Sequence, residues 1–128
     1  MKTIFLDANV LFAAARKPGK TLHRLITSNR ARFVTSPYAA LEAERNLEPR
    51  DRPRLEQLLA SVPLVPDAFG PPPPGVTLRG KDIPILASAA LCCADILVTS
   101  DSRDFKQLFG RTVSGLKIVA TEDLPAEL

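Results

Sequence analysis

The chain has 128 residues, a formal net charge of +3 and 45% hydrophobic residues. This length favours a single domain, residues 1–128, with a substantial apolar core, and it is too short for two such domains. No apolar run approaches the roughly 18 residues that a membrane span needs, and Asp7 interrupts the stretch that a signal peptide would continue, so we expect a cytoplasmic protein without membrane contact.

Strand and helix patterns alternate along the first half of the chain. Short apolar runs predict strands, and apolar residues at helical spacing predict the segments between them as helices. Ser36 followed by Pro37 is a cap and first-turn pair, which predicts that a helix begins there. The predicted elements of this half are strand 2–7, helix 8–17, helix 21–29, strand 32–36, helix 38–47, helix 52–62 and strand 63–67.

The second half begins with a proline-rich connection at 69–80 that contains four consecutive prolines. Proline lacks the amide hydrogen that a helix or a central strand requires, so we expect an extended surface segment. The elements predicted after it are helix 83–91, strand 94–100, short helix 102–110 and strand 116–122. Strands separated by helices favour a mostly parallel sheet covered on both faces, so the predicted fold class is α/β, a three-layer α/β/α sandwich.

The two cysteines and the histidine do not form the pattern of a metal site or a catalytic site. Cys92 and Cys93 are adjacent in an apolar stretch, so they cannot join distant parts of the chain and have no metal-ligand spacing. We expect them to be small core residues. His23 lies on a polar helix without a base or ligand partner beside it, and we expect it at the surface.

Carboxylates follow two of the predicted strands, at Asp7 and Asp101. In an open parallel sheet the carboxyl ends of the strands face the crevice where ligands bind. A simpler interpretation makes Asp7, Asp82 and Asp101 helix N-caps, with Asp104 completing a capping box. The two interpretations are compatible, because a carboxylate has several lone-pair sites and can cap a helix and bind a ligand.

Two glutamates, Glu42 and Glu44, lie on opposite sides of one predicted helix. Periodicity alone leaves open which of them faces the crevice. Either could be an ordinary solvated charge, because glutamate is seldom fully buried without a partner.

Three segments of the chain resemble the three acidic blocks of the PIN domain, a fold of metal-dependent ribonucleases and of many bacterial toxins. They read "IFLDANVLFAA", "SPYAALEAERNL" and "KDIPILASAALCCADILVTSDSRDF", they occur in the family's order, and together they span nearly the whole chain. The last block carries most of the resemblance, because an Asp before an aliphatic helix, a short strand, Thr-x-Asp and Asp-Phe form an unusual combination. The resemblance implies a PIN-like version of the α/β/α sandwich.

The resemblance also implies functional residues. The family's four acidic positions, which would be catalytic and metal-binding, fall on Asp7, Glu42, Asp82 and Asp101. Three supporting positions fall on Asn9, Thr99 and Asp104. The family pattern of Glu, an aliphatic residue, a variable position and Arg selects Glu42 over Glu44, with Ala43 as a departure in the aliphatic slot.

A cluster of carboxylates without cysteine or an available histidine suits a hard cation, Mg²⁺ or Mn²⁺. With one or two ions bound, a water would lose its proton more easily and attack the phosphorus in line. The resemblance implies a 5′-phosphate and a 3′-hydroxyl as products. In the family that this chain resembles, many small members are toxins held by a small antitoxin protein, others act without one, and homodimers are common.

A different class of function is a non-catalytic PIN-like module that binds RNA or protein. A PIN-like module that has lost its activity is expected to lack at least one of the four acids, and none is lost here. Folding alone gives no reason to keep four carboxylates together, because crowding them without a cation costs electrostatic energy. The sequence therefore favours the nuclease.

The sequence pI of about 9.1 favours polyanionic partners only weakly. Basic residues follow Asp7 and Asp101 along the chain and could rim the crevice as RNA contacts, although solvated surface charge is the favoured interpretation for each of them, because lysine and arginine are mostly exposed. The residues concerned are Arg16, Lys17, Lys20, Arg103 and Lys106.

Overall fold

A five-stranded sheet lies at the centre of the computed structural model, which describes residues 1–128. Its strands are β1 (Thr3–Leu6), β2 (Arg32–Val34), β3 (Ile96–Thr99), β4 (Thr112–Val113) and β5 (Leu116–Ala120). They lie side by side in the order β2, β1, β3, β5, β4. The pairings from β2 to β5 are parallel, and only the β4 edge strand is antiparallel.

Helices connect the strands. They are α1 (Ala8–Arg16), α2 (Thr21–Ile26), α3 (Pro37–Asn46), α4 (Arg52–Leu59), α5 (Ile83–Leu91), α6 (Ser102–Phe105) and α7 (Leu124–Glu127). No helix has both the length and the apolar character that crossing a membrane would demand.

The central strands are covered on both faces. Every residue of β3, from Ile96 to Thr99, is buried, and so are Ile4, Phe5 and Leu6 of β1. Because successive side chains of a strand point to opposite faces, such continuous burial requires layers on both sides of the sheet. The predicted fold class, an α/β sandwich with a mostly parallel central sheet, is confirmed.

The carboxyl ends of the parallel strands meet at one edge of the sheet, and polar residues follow them there. Asp7 follows β1, and its backbone N–H donates to Val98 O at 3.1 Å, which continues the ladder between β1 and β3. Thr35 follows β2, and its hydroxyl donates to Leu6 O at 2.8 Å. Ser36 caps α3 as predicted, since its Oγ accepts from Ala39 N at 3.2 Å. This edge is therefore pinned by backbone and side-chain hydrogen bonds.

Two predictions about the strands are wrong. Instead of a strand at 63–67 there is one bridge between Thr35 and Leu64, because Pro63 and Pro66 remove the amide hydrogens that a ladder needs. The antiparallel strand β4 was not predicted. It pairs with β5 through a turn in which Ser114 has a φ of 53° and Gly115 a φ of 78°, the conformation of a tight two-residue hairpin.

Other predicted segments are close to the structure. The connection at 69–80 has no helix or strand, and the helix at 83–91 is present with those bounds. The helices predicted at 21–29 and 52–62 both end about one turn early, at Ile26 and Leu59.

The prediction of two core cysteines is wrong. Cys92 is only partly buried and Cys93 is exposed. Helix α5 ends at Leu91, and Cys93 adopts a φ of 58°, which turns the chain back toward β3 and carries the side chain outward. The position serves to reverse the chain, a use that the apolar neighbours did not reveal.

Candidate metal centre

Four carboxylates converge on one cavity of about 380 Å³ at the carboxyl edge of the sheet, here called the acidic cavity. They are Asp7, Glu42, Asp82 and Asp101, which come from four separate parts of the chain. Lys81 is the one cation among the nine residues that line the cavity. The four acids singled out in the sequence thus share one space.

Asp7 is held from three directions, and its residue is only 4% exposed. Its Oδ1 accepts from Ala8 N at 2.6 Å, at the start of α1. Its Oδ2 accepts from Thr99 Oγ1 at 2.8 Å and from Asn9 Nδ2 at 3.4 Å. These bonds fix the orientation of the carboxylate before any ligand arrives.

Thr99 connects the ends of two neighbouring strands. Besides donating to Asp7, its hydroxyl oxygen accepts from Asp101 N at 3.1 Å and from Asn9 Nδ2 at 3.3 Å. Asn9 also accepts from Ser100 N through Oδ1 at 3.0 Å. Thr99 and Asn9 therefore join the first turn of α1 to the loop that carries Asp101.

Asp101 caps α6, because its Oδ1 accepts from Arg103 N at 3.0 Å and from Asp104 N at 3.1 Å. Both bonds use one oxygen, so Oδ2 remains available to a ligand. The predicted capping box is wrong in its second half. Asp101 N is taken by Thr99, and Asp104 instead forms an ion pair with Arg79 Nε at 3.0 Å.

Asp82 precedes α5 but does not cap it, so the prediction of a cap is wrong here. Its backbone is already helical, with φ −94° and ψ −15°, whereas a capping side chain needs the extended backbone of a true N-cap. The residue is 5% exposed, and its Oδ2 is buried without a hydrogen-bond partner, as is Asp104 Oδ2.

Asp82, Asp101 and Asp104 each offer a carboxylate oxygen within 4.8 Å of the others. Asp104, which the sequence placed only in a supporting position, therefore stands among the acids. Its spacing of three residues from Asp101 was the available signal, since positions i and i+3 of a helical turn lie on one face.

Crowding changes how these acids ionise. Burial, with smaller contributions from the charges of Glu42 and Asp101, raises the pKa of Asp7 from 3.8 to about 6 against the opposing hydrogen bonds. Burial, the proximity of the Asp104 carboxylate and the charges of Asp7 and Asp101 raise the pKa of Asp82 to about 8. The site resists collecting its full negative charge unless a cation compensates it.

The two glutamates of α3 have different surroundings in the structure. Glu42 is half-buried and lines the acidic cavity, whereas Glu44 is exposed and lies outside it. His23 also lies outside it. His23 is partly buried rather than free at the surface, and its Nδ1 accepts from Gly19 N at 3.2 Å.

The basic residues named in the sequence divide into two groups. Arg103 and Lys106 line a second cavity of about 370 Å³, here called the basic cavity, together with Arg79. Arg16 is exposed and lies 5.2 Å from the centre of the Phe12 ring, and Lys17 and Lys20 are exposed beyond the end of α1.

Comparison with known proteins yields a fold but no family. No protein-family model matches the sequence, and no curated protein sequence matches it. Among solved structures, the chain is similar to one in the crystal structure of VapBC2 from Rickettsia felis bound to a DNA fragment from their promoter. The identity is 16% and the TM-score 0.65, and the match covers 92% of this chain and 98% of that chain. At this identity, the likeness establishes a shared fold.

Proposed function

We propose that this protein is a metal-dependent endoribonuclease whose metal ligands are Asp7, Glu42, Asp82 and Asp101. The observation that carries the proposal is the convergence of these four carboxylates on one cavity at the carboxyl edge of a parallel sheet. Asn9 and Thr99 support the site by holding Asp7 and the Asp101 loop in place.

The donor set fits a hard divalent cation. All the donors are carboxylate oxygens, the ligand type that Mg²⁺ and Mn²⁺ prefer. The buried oxygens Asp82 Oδ2 and Asp104 Oδ2 lack partners, and leaving a buried polar atom unpaired is unfavourable. A cation beside Asp82 and Asp104 would satisfy both atoms. Asp104 accordingly joins the proposed site as a ligand or as a support for Asp82.

A divalent cation in this position would lower the pKa of a water and offset negative charge on the phosphate. The chain supplies the preorganisation, because Asp7 and Asp101 are already oriented by Thr99 and by the helix ends that they cap. Glu42 is half-buried at the cavity wall, where it would help to hold the cation. Lys81 is the one cation that lines the cavity, and it would contact a phosphate oxygen of the substrate.

RNA as the substrate, and a toxin function, extend the proposal beyond the cavity itself. The support is the resemblance of the three acidic segments to the PIN family, together with the likeness to a chain of the VapBC2 complex. We extend the proposal to a cytoplasmic toxin restrained by a small antitoxin protein and able to form a homodimer.

The experiment that tests the activity uses two matched variants on one helix. Total RNA is incubated with the wild type, Glu42→Gln and Glu44→Gln, each with Mg²⁺, with Mn²⁺ and with a chelator. The substitutions are chemically identical, but only Glu42 lines the acidic cavity. We expect cation-dependent cleavage by the wild type and by Glu44→Gln, and a loss of roughly 100-fold or more in Glu42→Gln.

Three results would contradict the proposal. Cleavage that persists with the chelator would remove the metal from the mechanism. Equal rates for the two glutamine variants would show that the cavity is not the active site. Binding of the cation without cleavage of any RNA would favour the non-catalytic binding module.

A further inference from the structure

The basic cavity directly adjoins the acidic centre. Asp104 lines the basic cavity, and its carboxylate also lies within 4.8 Å of the carboxylates of Asp82 and Asp101. One side chain in the wall of the basic cavity thus lies beside two of the acids that line the acidic cavity. If a cation bound by the carboxylates holds one group of a ligand, the next group of the same ligand would lie at the mouth of the basic cavity.

The basic cavity carries excess positive charge that the fold does not use. It is lined by three cations, Arg79, Arg103 and Lys106, and by one carboxylate, Asp104, so three positive charges face one negative charge. Arg79 is engaged with Asp104 at 3.0 Å. Arg103 and Lys106 are exposed and take part in none of the ion pairs of the chain. Two cations therefore remain available to an anionic ligand.

The cavity beside α1 has no such excess. This space of about 200 Å³ is lined by two cations and two carboxylates, Arg16, Arg50, Glu48 and Asp51. Arg50 pairs with Glu48 at 3.0 Å. Its charges cancel, so it offers a polyanion much less attraction than the basic cavity does.

We propose that the basic cavity binds the backbone phosphate next to the cleaved one, so that single-stranded RNA leaves the acidic cavity over Arg103 and Lys106 and not along α1. This inference rests on the proposed function, which supplies the RNA. Long exposed cations suit the task, because they follow a phosphate backbone without reading its sequence. Thr77 and Gln107 line the same cavity and add neutral hydrogen-bonding groups for the sugar.

The test measures binding without cleavage. A fluorescent single-stranded RNA oligonucleotide is titrated with protein in chelator-containing buffer, and affinity is followed by anisotropy at several salt concentrations. The variant is Arg103→Ala with Lys106→Ala. Its matched control is Arg30→Ala with Arg32→Ala, which removes the same charge from exposed residues at and before the start of β2, at the opposite edge of the sheet. A third protein carries Arg16→Ala with Lys17→Ala.

We expect the magnitude of the slope of log affinity against log salt to decrease by about 0.7 in the Arg103 and Lys106 variant, since each phosphate neutralised on a single strand contributes about 0.7 and the basic cavity holds one phosphate. We expect the control and the Arg16 and Lys17 variant to keep nearly the wild-type slope. An unchanged slope in the first variant overturns the inference. So does an equal decrease in the control, or a larger decrease in the Arg16 and Lys17 variant.

A poly-glutamate peptide is the second probe, because an acidic protein segment could occupy the same cations. If the variant loses affinity for the peptide and none for RNA, the inference is wrong and the cavity is a protein-binding site. Failure of this inference is separate from failure of the nuclease proposal, since binding is measured without metal and cleavage by the Glu42 and Glu44 pair.

Discussion

The acidic and basic cavities adjoin each other but are built in opposite ways. The acidic cavity uses carboxylates that follow strands, precede a helix or lie on one, and Asp7 and Asp82 are nearly fully buried in it. The basic cavity uses long side chains, and Arg103 and Lys106 are exposed and free of ion pairs. The fold therefore determines the positions of the acids closely, whereas the cations keep their conformational freedom until a ligand orders them.

This difference predicts different consequences of substitution. Burying carboxylates beside one another costs stability, and a bound cation would recover it. Exposed lysine and arginine cost almost nothing in the folded state. Changes in the acidic cavity should therefore alter stability, metal binding and chemistry together, and changes in the basic cavity should alter ligand binding alone.

The largest expected effect is on catalysis. Asp101→Asn should reduce the cleavage rate by about 1,000-fold, because it removes a carboxylate from the centre of the site while leaving the α6 cap an acceptor oxygen. Cleavage kinetics and the rise in melting temperature with Mg²⁺ measure the loss. Ser102→Ala, at the exposed first position of α6, is the control. If Asp101→Asn cleaves RNA at the wild-type rate, substitutions in the acidic cavity do not have the effect on chemistry that distinguishes it from the basic cavity.

The next effect is on the stability of the metal-free protein as a function of pH. The pKa of Asp7 rises from 3.8 to about 6 and that of Asp82 to about 8, so the folded state retains protons that the unfolded state has released. The contribution of these two acids to stability should therefore be greatest below about pH 4 and fall as the pH rises to about 6 for Asp7 and to about 8 for Asp82. The two-unit shift of Asp7 corresponds to about 3 kcal/mol.

Thermal unfolding in chelator between pH 4 and pH 9 measures this dependence. Asp82→Asn should flatten the decline above pH 6 and raise the melting temperature there, since an amide can donate to Asp104 without adding charge. Saturating Mg²⁺ should reverse the trend in the wild type, because the cation favours ionised ligands. A metal-free protein that gains stability from pH 5 to pH 8 would contradict the assigned burial of these acids.

A smaller effect is expected from the residue that joins the strand ends. Thr99→Val removes the hydroxyl that contacts Asp7, Asn9 and Asp101 N while keeping the side-chain shape. Loss of such a supporting contact typically weakens metal affinity by about 10- to 100-fold. Titration with Mn²⁺ measures the affinity. Thr99→Ser retains the hydroxyl and should restore most of it, which a purely packing role would not explain.

The smallest effect belongs to a turn remote from both cavities. Gly115 has a φ of 78°, and a Cβ there would meet nothing within 4 Å. Gly115→Ala should therefore cost only the backbone strain, about 1 kcal/mol, visible in chemical denaturation. Metal affinity and the salt dependence of RNA binding should stay at wild-type values. A change in either would mean that general destabilisation can imitate the effects assigned to the cavities.

Local chemistry made much of the fold predictable. The alternation of apolar runs and helical spacing determined the order of strands and helices, and four consecutive prolines marked the irregular connection. The errors occurred where a long-range pairing or a backbone conformation decided the outcome. Strand β4 exists because two residues fold back onto β5, and Cys93 is exposed because it reverses the chain.

The sequence by itself determined which residue types follow the strands, and so placed Asp7, Asp82 and Asp101 at the ends of predicted elements. Only the tertiary structure decided which atoms meet. Asp104 faces Asp82 and pairs with Arg79, although the whole of α5 and β3 lies between Arg79 and Asp104 along the chain. Such contacts depend on how the sheet and its helices pack in three dimensions, and no period in the sequence carries that information.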